Sequence, residues 1–301
     1  MSAGAFARSR VAALGAFNRG RAGQAGGSRM QRKFLRNRAG VFGLMVVGAL
    51  IVLGVVGERI APYDWRDQNI IGRFAGPSGE HLLGTDELGR DIFSRILVGA
   101  RYSLAIGLAA VIVSFTVGTV IGIAAGFYRR LDGPVMRVVD VMLAFPGILL
   151  AIAIVAALGP GLISSIVAIG TNEVPGFARL NRSMVLSLRE REFVMAARVV
   201  GAADRTILVR HVLLNLASPL IVYASLRIST AILIAATLSF LGLGVQPPIP
   251  EWGAMVSTAR QYIATAPHTF AYPTLAILVT VIAFNLLGDA LRDTFDPTMR
   301  D

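Results

Sequence analysis

The chain has 301 residues, 54% hydrophobic and only 16% charged, with a mean hydropathy of +0.65. That balance excludes an ordinary soluble domain and points to a chain that crosses a membrane. The net charge of +11 would suit nucleic acid, but the arginines gather beside apolar runs, so no nucleic-acid partner is expected; without cysteine there is no disulfide, thiolate metal site or thiol nucleophile.

Residues 1–38 form a basic tail in which every charged residue from Arg8 to Arg38 is Arg or Lys. A basic flank before an apolar span marks the inner side of a membrane, where such a tail can lie against anionic lipid; an Arg-rich targeting leader is the alternative. A helix needs ~20 mostly apolar residues to cross. The uncharged runs then predict a first span at 39–57 and a second from Tyr102 to Tyr128. The run from Val141 to Asn172 is too long for one crossing, and Gly159-Pro160-Gly161 divides it into spans three and four. Span five follows from Asn215 to Gly244, and span six from Thr269 to Gly288. The fold class is therefore all-α, a polytopic membrane protein with six transmembrane helices.

Orientation follows from Lys and Arg. The tail and the segment 189–215 fall inside, while 58–100 and 245–268 fall outside; residues 101–297 form a five-helix core that includes both of the later loops. In the inner segment Phe193, Ala196, Ala197 and Val200 recur at helical spacing. Gly201 is placed to end that helix in the left-handed conformation, and Asp204 to cap a second one. Small residues at Ala196, Ala197 and Ala202 let a partner surface approach the backbone. An ordinary cytoplasmic linker would carry similar punctuation.

At these residues the sequence resembles the inner-membrane permeases of ABC importers. Their cytoplasmic signature reads Glu-Ala-Ala, three residues, Gly, nine residues, Ile-x-Leu-Pro. Ala196, Ala197, Gly201 and Leu213 match it, whereas Met195, His211 and Leu214 depart from it. Longer stretches are similar to the C-type permeases of dipeptide and oligopeptide importers. They are His81-Leu-Leu-Gly-Thr-Asp-Glu-Leu-Gly-Arg-Asp-Ile-Phe-Ser-Arg95, Arg137-Val-Val-Asp-Val-Met-Leu-Ala-Phe-Pro146, the run from Leu238 to Gly253, and the ending from Asn285 to Pro297.

The resemblance implies a type I ABC importer permease, one half of a heterodimer with a second homologous permease subunit. It implies a bacterial cytoplasmic (inner) membrane with both termini cytoplasmic. Two ATPase domains or subunits would bind ATP and Mg, this chain holding no cofactor, and an extracytoplasmic solute-binding protein would load the outer face. The ATPase-coupling residues implied are Glu192, Phe193, Ala196, Ala197, Gly201, Ala202, Arg205 and His211. The external signature is Gly84, Thr85, Asp86, Gly89, Arg90 and Asp91. Turn and cap chemistry explains this signature equally well as packing of the outer face, with Arg90 pairing to Asp86 or Asp91.

Two charges sit inside the apolar spans. Arg227 lies near the middle of span five, and Glu173 about two turns from the inner end of span four. A central Arg costs ~2.5–3.5 kcal/mol unless paired or hydrated. These residues are expected to neutralise one another or to line the translocation pathway. Asp140 and Asp289 have Arg137 and Arg292 three residues away, and local pairs are the simplest expectation. No Gly-x-x-x-x-Gly-Lys-Ser/Thr loop is present, and His81, His211 and His268 are too far apart to suggest zinc. The chain is thus read as a non-catalytic subunit importing peptides, with nickel or glutathione as other solutes of the class. An ion-driven secondary transporter or a membrane scaffold are the rivals.

Overall fold

The structure, a computed structural model, describes residues 32–295; most of the basic tail and the last residues of the closing motif lie outside it. The principal elements are ten helices: α1 (Arg38–Ile60), α2 (Ile92–Phe127), α3 (Arg129–Ala144), α4 (Gly147–Leu158), α5 (Leu162–Arg189), α6 (Glu192–Val199), α7 (Asp204–Ile207), α8 (Leu214–Phe240), α9 (Trp252–Ala259) and α10 (Pro267–Phe295). A π-helical turn, Leu208–Leu213, joins α7 to α8 without a break.

α1, α2, the continuous run Asp204–Phe240 and α10 are each long and apolar enough to cross a membrane, and α3 with α4 makes one further candidate bent by 93°. α5 stands where the fourth of the six expected spans falls, but is not apolar enough to count with these four or five. It has 28 residues, but Glu173, Arg179 and Arg182 make it too polar to face lipid. It is instead wrapped by α2, α4 and α8. A helix shielded by neighbours need not be apolar all round.

Three boundaries differ from the sequence expectation. Span three begins at Gly147 rather than Val141, because Pro146 holds Phe145 in extended backbone at ψ 136° and ends α3 there. α4, with 12 residues, is about 18 Å long and too short to cross alone. α5 continues far past Asn172 to Arg189, so Glu173 lies about 24 Å of helix from that end, deeper than two turns. α8 stops at Phe240 rather than Gly244, and two residues on Gly242 turns the chain with φ +79°.

Close helix contact depends on glycine. Gly118, Gly122 and Gly126 form a stripe on α2 against Phe177, Ala178, Asn181 and Val185 of α5. A Cβ at Gly118 would stand 2.5 Å from the Phe177 Cβ, and one at Gly126 2.8 Å from the Val185 Cβ. Small residues let backbones meet in this way where the hydrophobic effect no longer drives association. Asn181 uses the closeness: its Nδ2 donates to the Phe177 carbonyl at 2.8 Å and to Thr119 Oγ1 at 3.2 Å. Gly122→Leu is expected to cost at least ~1–3 kcal/mol of overpacking, read as a lower melting temperature of the detergent-solubilised protein. Gly133→Leu on α3, where a Cβ meets nothing within 4 Å, serves as the unaffected control.

Candidate functional site

At the end of the bundle where α5 finishes, α6 and α7 make a compact knob. Its glycine junction is a Schellman motif: Ala202 N–H donates to the Ala197 carbonyl at 3.0 Å and Gly201 N–H to the Arg198 carbonyl at 2.9 Å. Gly201 has φ +84°, the left-handed conformation expected for it. Val194, Ile207 and Val212 are fully buried and root the knob, and the Arg198 guanidinium lies 5.5 Å from the Phe127 ring centroid.

The apolar face of α6 turns outward. Val199 and Val200 are 88% and 87% exposed, and Phe193, Met195 and Ala196 are exposed beside them, with Ala197 half-buried. Glu192, Arg205 and the Gly201 Cα are also at the surface; His211 is half-buried, its ring 6.1 Å from that of Phe193. Asp204 is not the cap expected of it. Ala203 occupies that position, and Asp204 is the first helical residue, favourable to the helix dipole but making no cap hydrogen bond. A cleft of about 750 Å³ lies alongside, lined by Leu188, Arg191, Glu192, Phe193 and Asn215.

The signature from Gly84 to Asp91 sits at the opposite end of the bundle and is turned inward. Thr85, Asp86, Arg90 and Asp91 are all buried, and Gly84 and Gly89 bend the chain with φ of +80° and +72°. Thr85 Oγ1 donates to the Gly72 carbonyl at 2.6 Å and accepts from Ala75 N–H at 2.9 Å. Arg90 Nε donates to Asp86 Oδ2 at 2.7 Å, and its Nη2 to Glu87 Oε1 at 2.8 Å. Arg95 Nε lies 3.4 Å from the same Asp86 oxygen, attracted by charge without an aligned hydrogen bond. Asp91 does not pair with Arg90. It caps α2 by accepting from Ser94 N–H and Oγ, both at 2.7 Å, and lies 2.9 Å from His81 Nδ1. Burial, and then the charge of Asp86, hold the Glu87 carboxyl above its ordinary range.

In the middle of the bundle α5 and α8 bring Glu173 and Arg227 together, with Arg227 Nε 3.4 Å from Glu173 Oε2. Arg227 Nη2 also donates to the Tyr223 hydroxyl at 2.5 Å, and the guanidinium lies over the Tyr223 ring at 4.6 Å. Asp140 reaches across to Arg179 on α5 at 2.5 Å rather than to Arg137 on its own helix. No ion pair of Asp289 with Arg292 is formed. Among the described residues no cluster of three His, Asp or Glu could hold a metal ion.

Comparison with known proteins decides the family. The model for the inner membrane component of binding-protein-dependent transport systems matches residues 118–301. The chain belongs to that family. A second model, the N-terminal transmembrane domain of oligopeptide transport permease C, matches residues 27–77. The chain is 46% identical over 270 residues to a dipeptide transport system permease protein from Alkalihalophilus pseudofirmus, covering 89% of each. It is 48% identical over 271 residues to a glutathione transport system permease protein from Pectobacterium atrosepticum, covering 89% of this chain and 90% of the relative. The matching protein of Escherichia coli is 48% identical over 273 residues, with 89% of each covered. Among solved structures, an inward-facing MetNI methionine ABC transporter chain superposes with a TM-score of 0.54 at 19% identity, covering 67% of this chain and 97% of that one, a likeness of fold.

The protein is thus a multi-pass permease subunit of an ABC importer, a class whose members work with ATPases and binding proteins. Two structural groups of this permease were not singled out by sequence reasoning. Glu251 is buried at the start of α9, where its Oε1 accepts from Gly253 N–H at 2.9 Å and from Ser103 Oγ at 3.2 Å, and its Oε2 from Ala254 N–H at 2.8 Å. The adjoining Trp252 is 1% exposed and donates from Nε1 to the Ile96 carbonyl at 3.1 Å, so it is a core residue. The second group is the fork between Asp132 of α3 and Arg182 of α5, with Nη2 to Oδ2 at 2.7 Å. Glu251 is not one of the residue types that usually signal a helix start, and the Asp132–Arg182 pair spans 50 residues and has no local sequence signature.

Proposed function

We propose that this permease is one half of a heterodimeric pore, paired with a second homologous permease, and that it imports a small peptidic solute across a bacterial cytoplasmic membrane. The named relatives carry dipeptides and glutathione. Both are peptidic, which favours that class over nickel. The basic tail at 1–38 and the segment 189–215 face the cytoplasm in this reading, as do both termini. The segments 58–100 and 245–268 face outward, toward a binding protein that delivers the solute.

The observation that carries the reading is the knob. Its apolar residues Met195, Val199 and Val200 are exposed on a helix locked by the Gly201 junction, in a chain without a phosphate loop of its own. Surface of this kind is built for a partner. In this proposal two ATPase subunits bind ATP and Mg, and one of them grips α6 through Glu192, Phe193, Ala196, Ala197 and Gly201, with Ala202, Arg205 and His211 behind them. The buried Val194, Ile207 and Val212 then pass closing motion into α8 and α5. Because the π-helical turn joins the knob to α8 without a loop, force reaches the bundle along a stiff element.

Uptake of a labelled dipeptide into cells expressing the whole transporter tests this. Depleting ATP while the ion gradient is held is expected to stop uptake. Continued uptake under those conditions would show an ion-driven transporter instead.

A further inference from the structure

The pair at the middle of the bundle has unused bonding capacity. A guanidinium carries five N–H donors. Tyr223 accepts one of those of Arg227, and Nε stands 3.4 Å from Glu173 without a closer bond. The described residues offer the remaining donors no acceptor. The two partners are also unequally covered: the Glu173 side chain is 7% exposed and that of Arg227 34%. The carboxylate is packed away, and the guanidinium edge looks out of the chain. A largely apolar groove of about 530 Å³ between α5, α8 and α10, lined by Leu180, Ser218, Val222, Leu226 and Arg292, includes the Tyr223 that holds Arg227.

We propose that Arg227, held by Glu173 and Tyr223, is a binding point in the translocation pathway for the carboxylate of a zwitterionic solute; this rests on the importer reading above. The planar fork of Arg matches a carboxylate in a way that a point charge cannot. With Glu173 beside it the empty site is close to neutral, which spares the cost of an isolated charge inside a membrane. A zwitterion entering the site preserves that neutrality. A solute lacking the carboxylate leaves the outward N–H groups unmatched and adds positive charge next to Arg227.

The test uses the complete transporter in proteoliposomes with its binding protein. The probes are a dipeptide and its C-terminally amidated form, each at a concentration that saturates the binding protein. Wild-type protein is expected to carry the free acid at least about tenfold faster, the ratio expected for one hydrogen bond to a charged group. Arg227→Gln should reduce free-acid flux to that of the amide, abolishing the preference between the two probes. Arg227→Lys should restore part of the preference. Equal loss of both fluxes, a preference unchanged in Arg227→Gln, or failure of the variant to retain its partner permease would each overturn the assignment in favour of a structural pair. Absence of ATP-dependent uptake in the wild type would defeat the importer reading itself.

Discussion

Gly201→Asp and Ala197→Arg are each expected to abolish ATP-driven uptake while the protein still inserts. The two positions fail for different physical reasons. Gly201 has φ +84° and open space where a Cβ would go, so no clash arises within this chain. A non-glycine residue there accepts ~1–2 kcal/mol of left-handed strain, and aspartate is among the residues that bear it best. The junction therefore survives, with a carboxylate added to the surface that the proposal assigns to the ATPase. Ala197 is half-buried and accepts the Ala202 N–H through its carbonyl. Arginine there keeps the backbone bond but lifts a long charged side chain into the contact. A central interface position is worth ~2 kcal/mol or more, about thirtyfold in affinity. Gly201→Asn separates strain from charge, since it has nearly the same shape and no charge. The measurements are uptake, co-purification of the ATPase, and melting temperature. Uptake at wild-type rates in both variants would remove the docking role from the knob.

Much of this was legible in the sequence because the relevant signals are local. The apolar runs gave α1, α2, α8 and α10, and the Gly159-Pro160-Gly161 break falls where α4 gives way to α5, with Gly159 at φ +86°. The Ala197, Gly201 and Ala202 pattern maps directly onto the two hydrogen bonds of the junction. What remained hidden depends on contacts distant in sequence. Phe193, Ala196 and Val200 read as an apolar face, but periodicity does not say whether such a face turns inward; here Val194 points in. Val141 and Met142 looked like the start of a crossing, yet Pro146 makes them the end of an amphipathic helix tied to α5 through Asp132 and Asp140. Trp252 is buried by Gly99 and Ile96 of α2, contacts that its neighbours in sequence do not announce. Glu173 and Arg227 stood out as costly charges, but only the fold brings them within 3.4 Å and exposes one more than the other.

The largest loss of stability is expected from Asp86→Ala. Asp86 faces two guanidinium groups, Arg90 at 2.7 Å and Arg95 at 3.4 Å, and all three side chains are at least nine-tenths buried. It also accepts from the backbone N–H groups of Leu88 and Arg90, both at 2.9 Å, so its removal unpairs charges and turn donors together. Breaking a buried pair by removing one partner costs ~3–5 kcal/mol, because the surviving charge stays out of water without compensation. Asp86→Asn keeps much of the hydrogen bonding and should fall between. Asp86→Ala combined with Arg90→Met should recover part of the loss, since the Arg90 charge is then absent, although Arg95 and the Glu87 that Arg90 also holds still lack partners. The readout is the melting temperature of the purified permease, followed by affinity of the assembled transporter for its binding protein at a temperature where the variant remains folded. A clamp predicts a large fall in melting temperature and near-normal affinity. A recognition surface predicts the reverse. The inward orientation of Thr85, Asp86, Arg90 and Asp91 favours the clamp: side chains committed to each other and to the start of α2 have little left to offer a partner, and what they do is hold the segment before α2 in one shape.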